Sequence, residues 1–243
     1  MRVLLTRPEG RNHAMEQALT ERGIPLMVTP LLAVEAMEDK GISPAEVLDA
    51  DIIVFVSTNA VHFGTQALNA PWPSSHIQYF AVGEATFEAF AQYGIRGHKA
   101  PDDNQQTEGL LTLPGLQPEA VKHKKVVIIR GNGGREVLGQ TLQQYGASVQ
   151  FWEVYRRTCP AYDAVQLVKE WQDFGIDTIV LSSAESLMNL IRLLPKEYFA
   201  WLQACHIIVP SIRVVDKAVV AGLTQVTDAT AANSKAVLKA LRL

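Results

Sequence analysis

Residues 2–26 and 125–149 carry one pattern twice, at a constant offset of 123. Val3/Val126, Arg7/Arg130, Gly10/Gly133, Gln17/Gln140, Leu19/Leu142 and Gly23/Gly146 are identical pairs. Each copy reads as a short apolar run, a turn and an amphipathic helix. A second pair, Asp51 to Ser57 and Asp177 to Ser183, repeats an apolar run and the turn that follows it. Any two strand–turn–helix units share some of this. Here order, length and turn residues repeat together, which points to a duplicated α/β domain.

The rest of the chain keeps the same rhythm. Apolar runs at 52–56, 80–82, 126–129, 178–181 and 207–209 precede helical patterns at 59–68, 85–93, 135–145, 185–194 and 214–221, and the run at 3–5 precedes one at 12–22. Strands apolar on both faces and alternating with helices belong in parallel sheets covered on both sides. Gly23, Gly94, Gly146 and Gly222 stand where left-handed helix ends are wanted. Ser43-Pro44-Ala45-Glu46 and Ser182-Ser183-Ala184-Glu185 read as capping boxes. The segments 30–37 and 151–157 are extended and free of central turn residues, and they are expected to pair as a two-stranded ladder. The chain then leaves its first domain near residue 35 and returns near 158. The expected division is 1–35 plus 158–243 as one α/β domain, 40–150 as the other, and 31–40 with 150–158 as the ladder.

Composition excludes several classes. The chain is 48% hydrophobic and 19% charged, too apolar for disorder. No apolar run approaches the ~20 residues that span a bilayer. The apolar start breaks at Arg7-Pro8, too early for a signal peptide. Cys159 and Cys205 are the two cysteines, so there is neither a disulfide framework nor a cysteine-rich metal site. A net charge of −3 lacks the basic excess of a general nucleic-acid binder. The expectation is a cytoplasmic monomer with no nucleic-acid or membrane partner.

In open parallel sheets, ligands bind beyond the carboxyl ends of the strands. Those ends carry Thr6-Arg7-Pro8, Ser57-Thr58-Asn59, Gly83-Glu84, Arg130-Gly131-Asn132-Gly133-Gly134, Ser182-Ser183 and Pro210-Ser211-Ile212-Arg213, and Thr107 opens a further helix. Most begin helices, whose first N–H groups are free and favour anions. Each alone is an ordinary N-cap. Their number, presented by two facing domains, suits a ligand with carboxylates around its periphery. Other signals fail. Gly131-Asn132-Gly133-Gly134-Arg135-Glu136 starts like a dinucleotide fingerprint but ends on Glu136. There is no Gly-Lys-Ser/Thr phosphate loop, no Gly-x-Ser-x-Gly elbow, and no metal spacing among the six histidines. An enzyme of this kind performs chemistry that its substrate nearly does alone once held in shape.

Several of these stretches, in order, resemble the uroporphyrinogen-III synthase family. They are Leu4-Leu5-Thr6-Arg7-Pro8-Glu9-Gly10, Phe55-Val56-Ser57-Thr58-Asn59-Ala60-Val61, Ala81-Val82-Gly83-Glu84-Ala85-Thr86, Thr107-Glu108-Gly109-Leu110-Leu111, Ile129-Arg130-Gly131-Asn132-Gly133-Gly134-Arg135-Glu136, Val154-Tyr155-Arg156-Arg157 and Asn233-Ser234-Lys235-Ala236. The resemblance implies two flavodoxin-like, three-layer α/β domains with parallel sheets, joined by a two-stranded β-ladder, the first domain discontinuous. It implies a cofactor-free, metal-free hydro-lyase of tetrapyrrole biosynthesis. Such an enzyme closes hydroxymethylbilane with inversion of ring D through a spiro intermediate, releasing water. It also leaves room for hand-over from the preceding pathway enzyme.

The resemblance makes Tyr155 the candidate proton donor to the departing hydroxyl. An aromatic at a domain junction is the plainer reading. Candidate carboxylate binders are Ser57, Thr58, Asn59, Gly83, Glu84, Thr107, Gly131, Asn132, Ser183 and Ser211, with Arg7, Arg130 and Arg213 as cations. Arg7 and Arg130 serve equally well as fixtures of local strand–turn geometry. The family's Gly-x-x-Thr turn is replaced in the second half by Pro210-Ser211-Ile212-Arg213, so no threonine role carries over. Arg156 and Arg157 read as solvent-facing. The rival readings are a two-domain small-anion binding module and, more weakly, a nucleotide-dependent transferase.

Overall fold

A computed structural model describes residues 1–38, 40–74 and 76–243, so that residue 39 of the expected ladder and residue 75 of the second domain lie outside the description. The strands are β1 (Val3–Leu5), β2 (Leu26–Val28), β3 (Ala33–Ala36), β4 (Ile52–Phe55), β5 (Gln78–Ala81), β6 (His98–Lys99), β7 (Lys125–Gly131), β8 (Ser148–Thr158), β9 (Thr178–Val180), β10 (His206–Val209) and β11 (Val226–Asp228). The chain divides into two compact units: Met1–Val34 with Thr158–Leu243 (unit 1) and Glu35–Arg157 (unit 2).

Unit 1 holds a five-stranded sheet, β11-β10-β9-β1-β2, with every neighbouring pair parallel. Val3, Leu5, Val180 and Ile208 point into one apolar layer, and Leu4, Ile179, Ile207 and Val209 into another. Alternate residues of a strand face opposite ways, so both faces of this sheet are buried under helices.

In unit 2 the order is β3-β8-β7-β4-β5-β6. Ile52, Val54, Val126 and Ile128 fill one layer. On the other face Phe55 makes edge contacts with Trp72 and Phe90 at 5.2 and 5.3 Å between ring centres. The helix Thr58–Leu68 packs there, with Gly64 against Ile129 and Phe55.

The duplication survives in three dimensions. Val3 pairs with Leu26 and Val126 with Val149, the same step of 23 residues in each copy. Gly10 and Gly133 have φ of 71° and 68°, and Gly23 and Gly146 of 65° and 90°. Glycine alone adopts these left-handed angles without steric cost, which explains the four conserved positions of the repeat. Unit 2 follows unit 1's strand order but begins at the third strand: β4, β5 and β6 match β9, β10 and β11, while β7 and β8 match β1 and β2. The two units are circular permutants of one sheet.

Each copy also carries a carboxylate latch. Asp51 accepts the Lys125 N–H at 2.8 Å, and Asp177 accepts the N–H of Arg2, the twin of Lys125, at 3.0 Å. The Lys125 N–H and the Lys124 ammonium pull the Asp51 pKa below its ordinary value. For Asp177 burial acts upward, but the Arg2 N–H, the Thr178 hydroxyl and the N-terminal ammonium outweigh it. A depressed folded-state pKa stabilises the fold above the unfolded value near ~4, and that stability is lost as pH falls through the folded value. Both carboxylates are more than one-third exposed, so Asp51→Ala is expected to cost about 1 kcal/mol at neutral pH. Urea unfolding at neutral and acidic pH checks this: the difference from wild type should vanish in acid.

Two local expectations shift. The second capping box is centred one residue later than the sequence suggests. Ser183, rather than Ser182, caps the helix Ala184–Leu193, and its reciprocal partner is Ser186. β9 ends at Val180, but Leu181 still donates its N–H to the Ile208 carbonyl at 2.9 Å, which carries the extended chain past the strand and delays the helix start. The connector segments pair with each other, but they do so as the edge of unit 2's sheet. β8 lies between β3 and β7, because its eleven residues are long enough to serve both neighbours.

Candidate functional site

The carboxyl ends of β4 and β7 open onto a cavity of about 700 Å³ inside unit 2. Ser57, Thr107, Arg130, Gly131, Asn132 and Tyr155 all line it. Three arginines, Arg130, Arg135 and Arg157, stand in the lining, and among the described residues no carboxylate does. The cavity therefore favours an anion.

Tyr155 is the best-fixed group there. It is 5% exposed, and its ring stacks on Phe63 at 5.8 Å. Gly131 lies against the same ring, where a Cβ would sit 2.5 Å from a ring carbon, so the phenol occupies space that only glycine leaves open. The Tyr155 hydroxyl is 3.0 Å from Ser57 Oγ, and Ser57 Oγ accepts the Ala60 N–H at 3.1 Å. Ser57 is the N-cap of the helix Thr58–Leu68. Ser57 Oγ accepts the helix N–H and keeps its own proton, so it can donate to the phenol oxygen and leave the phenol proton for another acceptor, although either hydroxyl of the pair can be the donor.

Arg130 behaves differently from a free cation. Its Nε and Nη2 donate to Glu153 Oε1 at 3.0 and 2.8 Å, and its Nη1 to the carbonyls of Gly134 and Arg135 at 3.1 and 3.3 Å. The guanidinium lies 3.8 Å over the Phe151 ring. Asn132 donates its side-chain amide to Glu153 and its N–H to the Tyr155 carbonyl. These bonds hold the 131–134 turn rigid, and of the two roles open to Arg130 they match the local fixture.

Thr58 and Asn59 belong to the first turn behind Ser57, where N–H groups lack helical acceptors. Gly83 and Glu84 open the helix Glu84–Ala91, but the Glu84 N–H donates to Gln105 Oε1 at 3.1 Å, and its carboxylate pairs with Lys99. Gln105 and Gln106 line the cavity and were not singled out from sequence. Arg156 and Arg157 are both exposed, as expected; Arg156 pairs with Glu35 across the surface, and Arg157 also lines the cavity. By strand alternation Arg157 shares a face with Tyr155, and Arg156 does not.

The remaining candidates stand in unit 1. Arg7 follows β1 and is half-buried. Ser183 and Ser211 cap the helices Ala184–Leu193 and Ile212–Val220, Ser211 without using its hydroxyl for the cap. Arg213 is exposed. Among the described residues no cluster of His, Cys, Asp and Glu is arranged to hold a metal ion, and no helix is long and apolar enough to cross a membrane.

Residues 13–239 match the family model for uroporphyrinogen-III synthase HemD. The chain belongs to the uroporphyrinogen-III synthase family. The synthase of Salmonella typhimurium is 34% identical and that of Escherichia coli 32%, in both cases over the whole of each chain. The crystal structure of uroporphyrinogen-III synthetase from Helicobacter pylori covers all of this chain and 99% of its own, with a TM-score of 0.62 at 13% identity, a likeness of fold. Tyr155, Ser57 and Gly131 thus meet in one cavity of a synthase-family chain.

Proposed function

We propose that the chain is a uroporphyrinogen-III synthase that takes hydroxymethylbilane, inverts ring D and closes the macrocycle with loss of water. Full-length similarity to the synthases is the main support. The observation that ties it to this chain's chemistry is a buried phenol, backed by a helix-capping serine, in a cavity that no acidic side chain lines among the described residues.

Tyr155 donates its hydrogen bond to the hydroxyl of the hydroxymethyl group on ring A, the terminal ring opposite ring D, as the carbon–oxygen bond breaks. The pyrrole nitrogen's lone pair stabilises the azafulvenium cation left behind. The substituted α-carbon of ring D then attacks to form the spiro intermediate. Fragmentation and re-closure invert the ring, and the proton lost on rearomatisation balances the one given to the leaving hydroxide. The protein also has to prevent direct closure to the I isomer, which is a matter of holding carboxylates. In unit 2 that task falls to the N–H groups around Ser57, Thr58 and Asn59, to Thr107, and to the cationic lining. In unit 1 it falls to Ser183, Ser211 and Arg213. Gly131 acts by leaving room for the phenol, and Arg130 by fixing the turn. Because hydroxymethylbilane closes spontaneously, the enzyme, read as a cytoplasmic monomer, gains from receiving its substrate directly from the enzyme that makes it.

Purified protein given freshly generated hydroxymethylbilane is expected to yield the III isomer, resolved chromatographically after oxidation. Formation of the I isomer alone, at the uncatalysed rate, would remove the reading. Thermal stabilisation by a sugar or amino acid but not by uroporphyrinogen would favour the small-anion binding module instead.

A further inference from the structure

Arg7 and Arg130 are the same residue at the same place in two copies of one unit, yet their surroundings differ. Arg130 is neutralised by Glu153, stacked on Phe151 and tied to two turn carbonyls. At the shared offset of 123, the counterpart of Glu153 is Pro30 and that of Phe151 is Val28. The carboxylate and the ring are both missing from unit 1's copy. Among the described residues no carboxylate lies within ion-pair distance of Arg7, and no hydrogen bond engages its guanidinium.

The backbone around Arg7 is nonetheless held firmly. Thr6 Oγ1 donates to the Val180 carbonyl at 2.7 Å, Leu31 N–H to the Thr6 carbonyl at 3.0 Å, and Asn12 Nδ2 to the Arg7 carbonyl at 3.1 Å. Arg7 thus projects a half-buried charge from a firmly held backbone at the carboxyl end of β1. Ser183 and Ser211 follow the neighbouring strands β9 and β10 at the same sheet edge, the edge where ligands of such sheets bind. Burial lowers the Arg7 pKa with no partner acting the other way. A partly buried guanidinium without a paired carboxylate carries a desolvation cost and is left free to meet an anion.

We infer that Arg7 is the charged anchor of unit 1 for a substrate carboxylate, a role its twin Arg130 has given up to Glu153. The inference rests on the synthase reading and deepens it by dividing the work: the phenol belongs to unit 2, where Tyr155 replaces the twin position's Leu32, and the free guanidinium belongs to unit 1.

The test compares Arg7→Gln, Arg7→Lys and Arg130→Gln by steady-state kinetics on hydroxymethylbilane, thermal unfolding, and fluorescence titration with uroporphyrin III, the stable oxidised form of the product. Arg7→Gln is expected to raise KM and weaken uroporphyrin binding about tenfold, with kcat and Tm little changed. Arg7→Lys should recover part of the affinity, since the charge remains while the fork geometry is lost. Arg130→Gln should lower Tm instead. Unchanged KM and uroporphyrin affinity in Arg7→Gln, beside a wild type that makes the III isomer, would overturn the anchor and leave the synthase reading standing. A fall in Tm like that of Arg130→Gln would overturn it too. Loss of uroporphyrin affinity in Arg7→Gln, beside a wild type that makes only the I isomer, would sustain the anchor and sink the synthase reading.

Discussion

Glu153→Ala is expected to destabilise unit 2 by about 3 kcal/mol, lowering its melting temperature by roughly 10 °C. The Arg130 side chain is 8% exposed and that of Glu153 22%, so water does little to replace the lost partner. Removing the carboxylate leaves a guanidinium sandwiched between Phe151 and the turn carbonyls with no counter-charge, and it strips Asn132 of its side-chain acceptor. Breaking such a pair from one side costs more than removing it whole. Arg130→Met combined with Glu153→Ala should therefore recover much of the loss, and the double-mutant cycle should give a large coupling energy. Circular dichroism during thermal and urea unfolding measures all three variants. If the double variant were as unstable as the sum of the singles, the stabilisation would come from packing rather than from charge pairing.

The same pair shows what one sequence does and does not reveal. The repeat made the strand–turn–helix copies visible, because glycines at positive φ and apolar runs of fixed length are local requirements. Gly10/Gly133 and Gly23/Gly146 report their backbone angles directly. The fate of the two arginines was hidden. It is decided across 23 residues of register, where one copy places Glu153 and the other Pro30. Identity at Arg7/Arg130 invites one shared role, and the neighbouring strand splits it. The cavity was half readable for a similar reason. Ser57 and Gly131 stand in local motifs at strand ends, and Tyr155 in the short 154–157 stretch of β8. Gln105 reaches the Glu84 N–H only because the chain after β6 folds back over that helix terminus, a tertiary path that no short motif encodes. The circular permutation follows from pairing as well: the sequence showed which segments repeat, and hydrogen bonding between strands showed that unit 2 starts its sheet from the third.

Gly131→Ala should slow the synthase about as much as Tyr155→Phe, roughly 100-fold in kcat for each. The figure lies at the low end for a proton donor because the pyrrole assists its own ionisation. The argument for Gly131 is steric. A Cβ there would sit 2.5 Å from Tyr155 Cε2 and 2.7 Å from Cζ, the carbon that bears the hydroxyl. Phe63, stacked on the ring, limits its retreat, so the phenol must turn away from Ser57 or the turn must open. Either way the hydroxyl leaves its place, although the substituted residue is an inert methyl. Both variants should also release more of the I isomer, since spontaneous closure competes with the slowed enzymatic step. Because both changes act on one hydroxyl, the Gly131→Ala, Tyr155→Phe double variant should be little slower than either single one. Initial rates and isomer ratios for the three proteins decide it. Full multiplication of the two losses would mean that Gly131 serves the reaction by a route that does not pass through the phenol.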